Sequence, residues 1–484
     1  MTRNIGLILL LINLAFGSLA GQSGRSVLYS GNVTCEGKGV AGVAVTDGVS
    51  VCRTDKEGRY SLEGSATSDF VYITSPSGYQ VPVVNSVPQF FHRVNHEHVK
   101  SIDFQLVKQV VDDINHGFVV WADPQVKNQE EALQARHVAE ELGDWLKTYD
   151  ERPFHGLGCG DIVGDNPALY DDIKNMLSPL GIPFYQSIGN HDLHYNGRSD
   201  NASGKVFESH FGPSYYSFNR GEIHYVVLND VFYIGRDYFY IGYLPEQQLN
   251  WLEQDLAQID EGSTVVLTLH IPTALNDQDV MQFAYSTISQ SLVNKQALYK
   301  ILKPYQVHIL SGHLHQNGNL EIAPNLFEHN ISSVCGAWWQ GPYAEDGTPK
   351  GYAVFEANGS ELSWYFKSFG YDRDYQFRAY AVGENPEQPE FVTANVWNYD
   401  PQWTVYWYED GNRMGEMEPY SGIDPKTAEV YSDKGTLDYK WISARKSNHM
   451  FRARPRTASS KLTVEVIDRF GSSYKMELKQ HTNK

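Results

Sequence analysis

Five times between residues 118 and 315 a short apolar run ends in residues that bind metals or move protons. "FVVWAD" ends in Asp123, with Gln125 two positions on, and "GLGCGD" ends in Asp161. "YQSIGNHD" ends in Asn190, His191 and Asp192, "VVLTLH" in His270, and "VHILSGHLH" in His313 and His315. Runs of this length, rich in β-branched and aromatic residues, read as buried strands. Helical patterns separate them: 128–149 carries Leu133, Val138, Leu142, Trp145 and Leu146 on one face, and "PEQQLNWLEQDLAQI" places Pro245 at a helix start and repeats Leu249, Leu252 and Leu256. Strands alternating with helices predict an α/β domain, whose ligands bind in the crevice at the carboxyl ends of its strands. One strand ending in Asp or Asn is explained by turn chemistry. Five such endings in one domain are not.

The chain of 484 residues is long enough for about three domains. Residues 26–108 read as a small β-sandwich of short strands punctuated by Gly and Asp, and "VTDGVSVCRTDKEGRYSL" resembles carboxypeptidase-regulatory-like β-modules. Residues 112–370 hold the α/β domain. Residues 371–484 return to β texture, with Trp397, Trp403 and Trp407 among many tyrosines.

The order Asp123-x-Gln125, Gly160-Asp161, Gly189-Asn190-His191-Asp192, His270 and Gly312-His313-x-His315 resembles the calcineurin-like metallophosphoesterase family, over roughly half of the chain. The resemblance implies a four-layer α/β/β/α core flanked by an N-terminal β-sandwich and a C-terminal β-rich module, as in some exported bacterial members. It implies two divalent cations: one held by Asp123, Gln125, Asp161 and His315, the other by Asp161, Asn190, His270 and His313. A ligand set mixing carboxylate, amide and imidazole suits Mn, Fe or Zn. The reaction implied is hydrolysis of a phosphate ester by a metal-bridging hydroxide, with His191 as general acid and Asp192 orienting it. Two departures stand out. Gln125 replaces the usual His, as in branches that read Asp-Pro-Gln, and Asp165 of "GDIVGD" falls one place later than the family spacing, which reads as structural. His-x-His comes last in the series, against metallo-β-lactamase and amidohydrolase patterns, where it comes first. The other reading is an inactive protein of this fold that binds glycans or other ligands outside the cytoplasm. For substrate contact the candidates are His194, next to the "GNHD" motif, and the aromatics Trp338, Trp339 and Tyr343 of "GAWWQGPY", for which core packing is the equal alternative.

A net charge of −19, from 39 basic against 58 acidic residues, disfavours a duplex nucleic-acid partner, which wants a basic stripe. The partner expected is a small-molecule or polymer phosphate ester. Of four cysteines, Cys35 and Cys52 are placed to pair across neighbouring strands of an exported chain, while Cys159 and Cys335 read as core thiols. The N-terminus has Arg3, an apolar stretch from Ile5 to Phe16, and small residues Ser18 and Ala20, the pattern of a secretory signal peptide over 1–20. No other segment is long and apolar enough to span a bilayer. The expectation is a periplasmic or extracellular protein whose mature chain starts near Gly21. N-terminal sequencing of the protein from its native host tests this; an intact Met1 terminus on cytosolic protein contradicts it.

Overall fold

The computed structural model describes residues 26–95, 101–149, 152–274, 285–457 and 460–478. The expected signal peptide lies outside them.

Two sheets packed face to face carry the central domain. The first has the order Phe184–Gln186, Phe154–Gly158, Asn115–Trp121, Gly351–Asn358, Glu361–Ser368. The second runs Tyr216–Arg220, Ile223–Val227, Thr264–Thr268, Gln306–Ser311, Leu326–Asn330, Gly318–Ala323. The strands that end in the sequence motifs pair in parallel within each sheet, so their carboxyl ends all face one edge of the sandwich. A parallel bridge between Ala122 and Ser333 joins the two sheets at that edge.

The alternation of side chains along a strand sorts the layers. Phe118 and Val120 point between the sheets, where Phe118 stacks on Phe355 at 4.8 Å and meets Tyr225 edge-on. Val119 and Trp121 point the other way, onto helices Gln129–Leu146 and Tyr170–Leu177. Helices Glu246–Leu256 and Lys295–Leu302 cover the outer face of the second sheet through Trp251, Leu252, Leu256, Leu298 and Leu302. The result is the four-layer α/β/β/α order. Two local expectations are corrected. Leu133 is 52% exposed, because it lies off the buried stripe of Ala132, Ala135, Val138, Ala139 and Leu142. Pro245 is the extended N-cap residue of its helix rather than its first helical residue, a position its fixed φ also permits.

Two β-modules flank this core. The N-terminal one has a sheet built on Ser26–Cys35 and a second, four-stranded sheet of Phe91–Arg93, Phe70–Ile73, Ala44–Thr46 and Val51–Arg53. Its apolar interior runs on into the central core, with Phe90 packed on Tyr216 at 4.5 Å. Cys35 and Cys52 sit on these two different sheets and both are free thiols, so the expected pairing is not formed. The C-terminal module is a pair of four-stranded sheets around its own core of Trp403, Trp407, Phe451, Val464 and Val466. Trp397 instead packs with the central domain. No helix among the described residues is long and apolar enough to cross a membrane.

Candidate metal centre

The motif glycines let the strand-end loops close on one another. A Cβ on Gly189 would lie 2.1 Å from the Asp161 amide nitrogen, and one on Gly312 would lie 2.5 Å from Asp123 Oδ2. The loops are also bent in a way that L-residues resist. Eight of the thirteen non-glycine residues with positive φ among those described belong to this region: Asp123, Gln125, Asp161, Asp165, His313, His315, Trp338 and Trp339. Each such residue costs on the order of 1–3 kcal/mol and persists only where its surroundings over-determine it. Here the neighbouring loops supply that constraint. The Gln125 N–H donates to Asp161 O at 2.8 Å, the His313 N–H to the Asp123 carboxylate at 2.9 Å, and the His191 N–H to Asp161 Oδ1 at 2.8 Å.

The side chains expected as ligands converge. His270 Nε2 lies 2.9 Å from Asn190 Oδ1, 3.2 Å from His313 Nδ1 and 3.4 Å from Asp161 Oδ1. The protons on these rings follow from their other contacts. His270 Nδ1 is 2.7 Å from the Cys159 carbonyl, which only accepts, so Nδ1 carries a proton and, in the neutral ring, Nε2 presents a lone pair. His313 Nε2 is 3.0 Å from the Ser289 carbonyl and 3.2 Å from Gln290 Nε2, and its Nδ1 faces His270. With His270 neutral and His313 protonated on the Nε2 that faces Ser289, two imidazole lone pairs, an amide oxygen and a carboxylate oxygen face one another, a set that a proton or a cation holds together. On the other side of Asp161, Gln125 Nε2 contacts Asp161 Oδ2 at 2.6 Å, and His315 Nε2 is 3.5 Å from Asp123 Oδ1. Gln125 Oε1 and His315 Nδ1 are buried with no hydrogen-bond partner. Turning over the Gln125 amide would aim an oxygen where the nitrogen now stands. These donors fit divalent cations of the oxygen- and imidazole-binding kind.

The electrostatics carry the same sign. Burial opposes charge on Asp161, yet His270, His191 and His313 outweigh it and hold the carboxyl below its usual range. Burial would lower the pKa of His270, but the charges of Asp161 and Asp123 raise it. His313, by contrast, is pushed down to about 3 by burial and by its neighbour His270.

Residues outside this set are placed as follows. His191 stands beside the cluster with its side chain 29% exposed, and its Nδ1 is 2.9 Å from Asp165 Oδ1. The carboxylate beside the His191 ring is thus that of Asp165, not the expected Asp192. Asp192 is turned back by the short Asn190–Asp192 helical turn and accepts from the N–H groups of Gly189, Ile162 and Val163 and from the Tyr170 hydroxyl. Its task is to hold the two motif loops together. The late spacing of Asp165 had suggested a structural residue; the left-handed turns at Asp161 and Asp165 bring it back onto the ring. Asp230, at the end of "VVLND", also went unread: it accepts the N–H groups of His270 and Ile271 at 3.0 and 3.1 Å and fixes the His270 loop. His194 is exposed; its backbone N–H donates to the Ser203 carbonyl and its carbonyl accepts the Gly197 N–H. The aromatics of "GAWWQGPY" divide. Trp339 is buried and donates to the Pro124 carbonyl at 2.8 Å, and Tyr343 is buried under the Arg378 guanidinium. Both are packing residues, not the stacking wall. Trp338 remains at the rim, stacked on His315 with ring centres 4.4 Å apart.

Known proteins place the chain in the same company. The family model for calcineurin-like phosphoesterase matches residues 118–317, and the models for the N-terminal and C-terminal parts of calcineurin-like phosphoesterases match 28–109 and 328–474. A 3',5'-cyclic-nucleotide phosphodiesterase of Nostoc sp. is 30% identical over 164 residues, 33% of this chain and 55% of that protein. The serine/threonine-protein phosphatase CPPED1 of Homo sapiens is 26% identical over 215 residues, 42% of this chain and 63% of that protein. The chain thus spans less than two thirds of the length of either curated relative. Among solved structures, a dimetal phosphatase from Danio rerio aligns with 52% of this chain and 96% of its own at 16% identity and a TM-score of 0.38. With all three parts of the family pattern present in order, the chain belongs to the calcineurin-like phosphoesterases.

Proposed function

We propose that the chain hydrolyses phosphate esters at two divalent cations, one held by Asp123, Gln125, Asp161 and His315, the other by Asp161, Asn190, His270 and His313. The observation that carries this reading is the convergence of Asn190 Oδ1, His313 Nδ1 and Asp161 Oδ1 on His270 Nε2, at 2.9, 3.2 and 3.4 Å. When bound, such cations supply Lewis acidity toward phosphoryl oxygens and lower the pKa of water. The chain's own residues do the rest. Asp161 carries two carboxylate oxygens that face opposite sides of the site, toward His270 and toward Gln125. His191 is tied by its backbone to Asp161 and by its Nδ1 to Asp165, which leaves Nε2 to deliver a proton to the departing oxygen. Burial would lower the pKa of His191, but the Asp161 charge and the Asp165 hydrogen bond raise it, which favours the protonated acid form. The names of the Nostoc and human relatives both denote phosphoester hydrolysis, which supports the reaction class and leaves the choice between monoester and diester open.

Two results are expected. The first concerns the acid. His191→Asn should lower kcat/KM on an alkyl phosphate by about 10²–10⁴-fold and far less on a nitrophenyl phosphate, because a nitrophenolate needs no proton to leave. Asp165→Asn should shift the same way by less, since an oxygen still faces Nδ1. The measurement is the dependence of kcat/KM on leaving-group pKa with all variants cation-loaded; parallel slopes with a uniform drop would remove His191 as the acid. The second concerns Gln125. Gln125→Ala should weaken cation binding by about tenfold or more, the scale seen on losing even an outer partner of a metal ligand. Gln125→His should bind zinc at least as well as the parent. Equal affinities for all three proteins in equilibrium dialysis would mean that Gln125 is no ligand.

A further inference from the structure

Residues 437–445 bring the C-terminal module to the rim of the candidate centre. That segment is fastened to the loop that carries Trp338. Leu437 and Ile442 form a small apolar cluster with Ala337 and Tyr431, with Trp338 and Tyr439 packed against it. The Asp438 N–H donates to Gln340 Oε1 at 2.7 Å, the Ser443 N–H to Glu345 Oε1 at 3.0 Å, and Arg445 pairs with Glu345 at 2.7 Å. On the far side the Tyr439 hydroxyl donates to Glu131 Oε1 at 3.1 Å, at the start of the helix that follows the Asp123 loop, and the Lys127 ammonium sits 4.5 Å above the Tyr439 ring.

These contacts hold Trp441 at the rim. Its ring meets Trp338 nearly edge-on, with centres 4.2 Å apart at 77°, and lies nearly parallel to Tyr439. Trp338 in turn stacks on His315. A single exposed aromatic residue needs no explanation in itself. Trp441 is different in its setting. It is 53% exposed, it belongs to a continuous run of rings that begins on a candidate metal ligand, and its backbone is fixed on both flanks. A rigid aromatic ring with one face in water, beside a site for phosphoryl oxygens, is what base and aryl stacking use.

We propose that Trp441 is a specificity-determining residue that stacks a planar aromatic substituent of the phosphate ester, a nucleobase or an aryl group, while the phosphoryl group lies at the cluster of Asp161, His270 and His313. The proposal rests on the phosphoesterase reading above and adds the substrate class. It gives the C-terminal module a part in recognition, and it places the Lys127 charge on the same rim, where it complements an anionic ester.

The test is calorimetric binding to the full chain loaded with Mn²⁺. Adenosine 5'-monophosphate and ribose 5-phosphate differ by the base; 2-phenylethyl phosphate and butyl phosphate differ by an aryl ring. In the parent the ring-bearing member of at least one pair should bind about tenfold or more tighter, the scale of one stacking contact. The pair that shows it tells a base from a simple aryl group. Trp441→Ala should abolish the preference, and Trp441→Phe should keep most of it. Equal binding within both pairs in the parent, or a preference that survives Trp441→Ala, overturns the proposal. If neither phosphate of a pair binds although the cations are loaded, the phosphoesterase reading fails instead. The stacking role is then decided by whether adenosine binds the parent and not Trp441→Ala.

Discussion

Asp123 and Asp161 are the constraint on which the rest of this structure depends. Both carboxylates are at most 1% exposed, and both sit at strand ends where two sheets meet. A buried carboxylate is costly unless something positive or donating answers it. Here the answer is assembled from parts of the chain far apart in sequence: imidazoles from the second sheet, amides from the first, and backbone N–H groups from His191 and His313. Carboxylate, amide and imidazole groups this close together form a set that a divalent cation fits.

The backbone bends to the same demand. Left-handed residues at Asp123, Gln125, Asp161, His313 and His315 turn the chain sharply as each strand ends, so that side chains from both sheets share a small volume. A second group of residues makes those bends tenable. Asp192 gathers three amides and the Tyr170 hydroxyl, Asp230 gathers two amides, and the Gly189 and Gly312 positions admit no side chain. Strain at the site is offset by hydrogen bonds one layer further out, a division commonly seen where a constellation has to be pre-organised.

Much of this was legible along the chain, because strand-end residues are local: "GNHD" and "GHLH" stand where their strands stop, and the alternation of strand-like and helical runs marks an α/β domain. What was not legible depends on how turns fold back. Spacing along "GDIVGD" does not reveal that Asp165, rather than Asp192, reaches the His191 ring. Nor does the texture of "GAWWQGPY" reveal that Trp339 and Tyr343 turn inward while Trp338 stays at the rim. Trp441 lies in another module from His315, and only the three-dimensional docking of residues 437–445 brings the two into one run of rings. His116 and His308, away from those strand ends, follow ordinary core chemistry. Burial holds His116 and His308 at about 4, neutral and packed among aromatic rings.

The central claim is that the converging acceptors are there for two cations that share Asp161. Anomalous diffraction at the manganese edge, from crystals of the full chain grown with Mn²⁺, tests it most directly. Two peaks flanking the Asp161 carboxylate, about 3.5–4 Å apart, are the predicted result. A single peak, or manganese bound only away from Asp161, would contradict it.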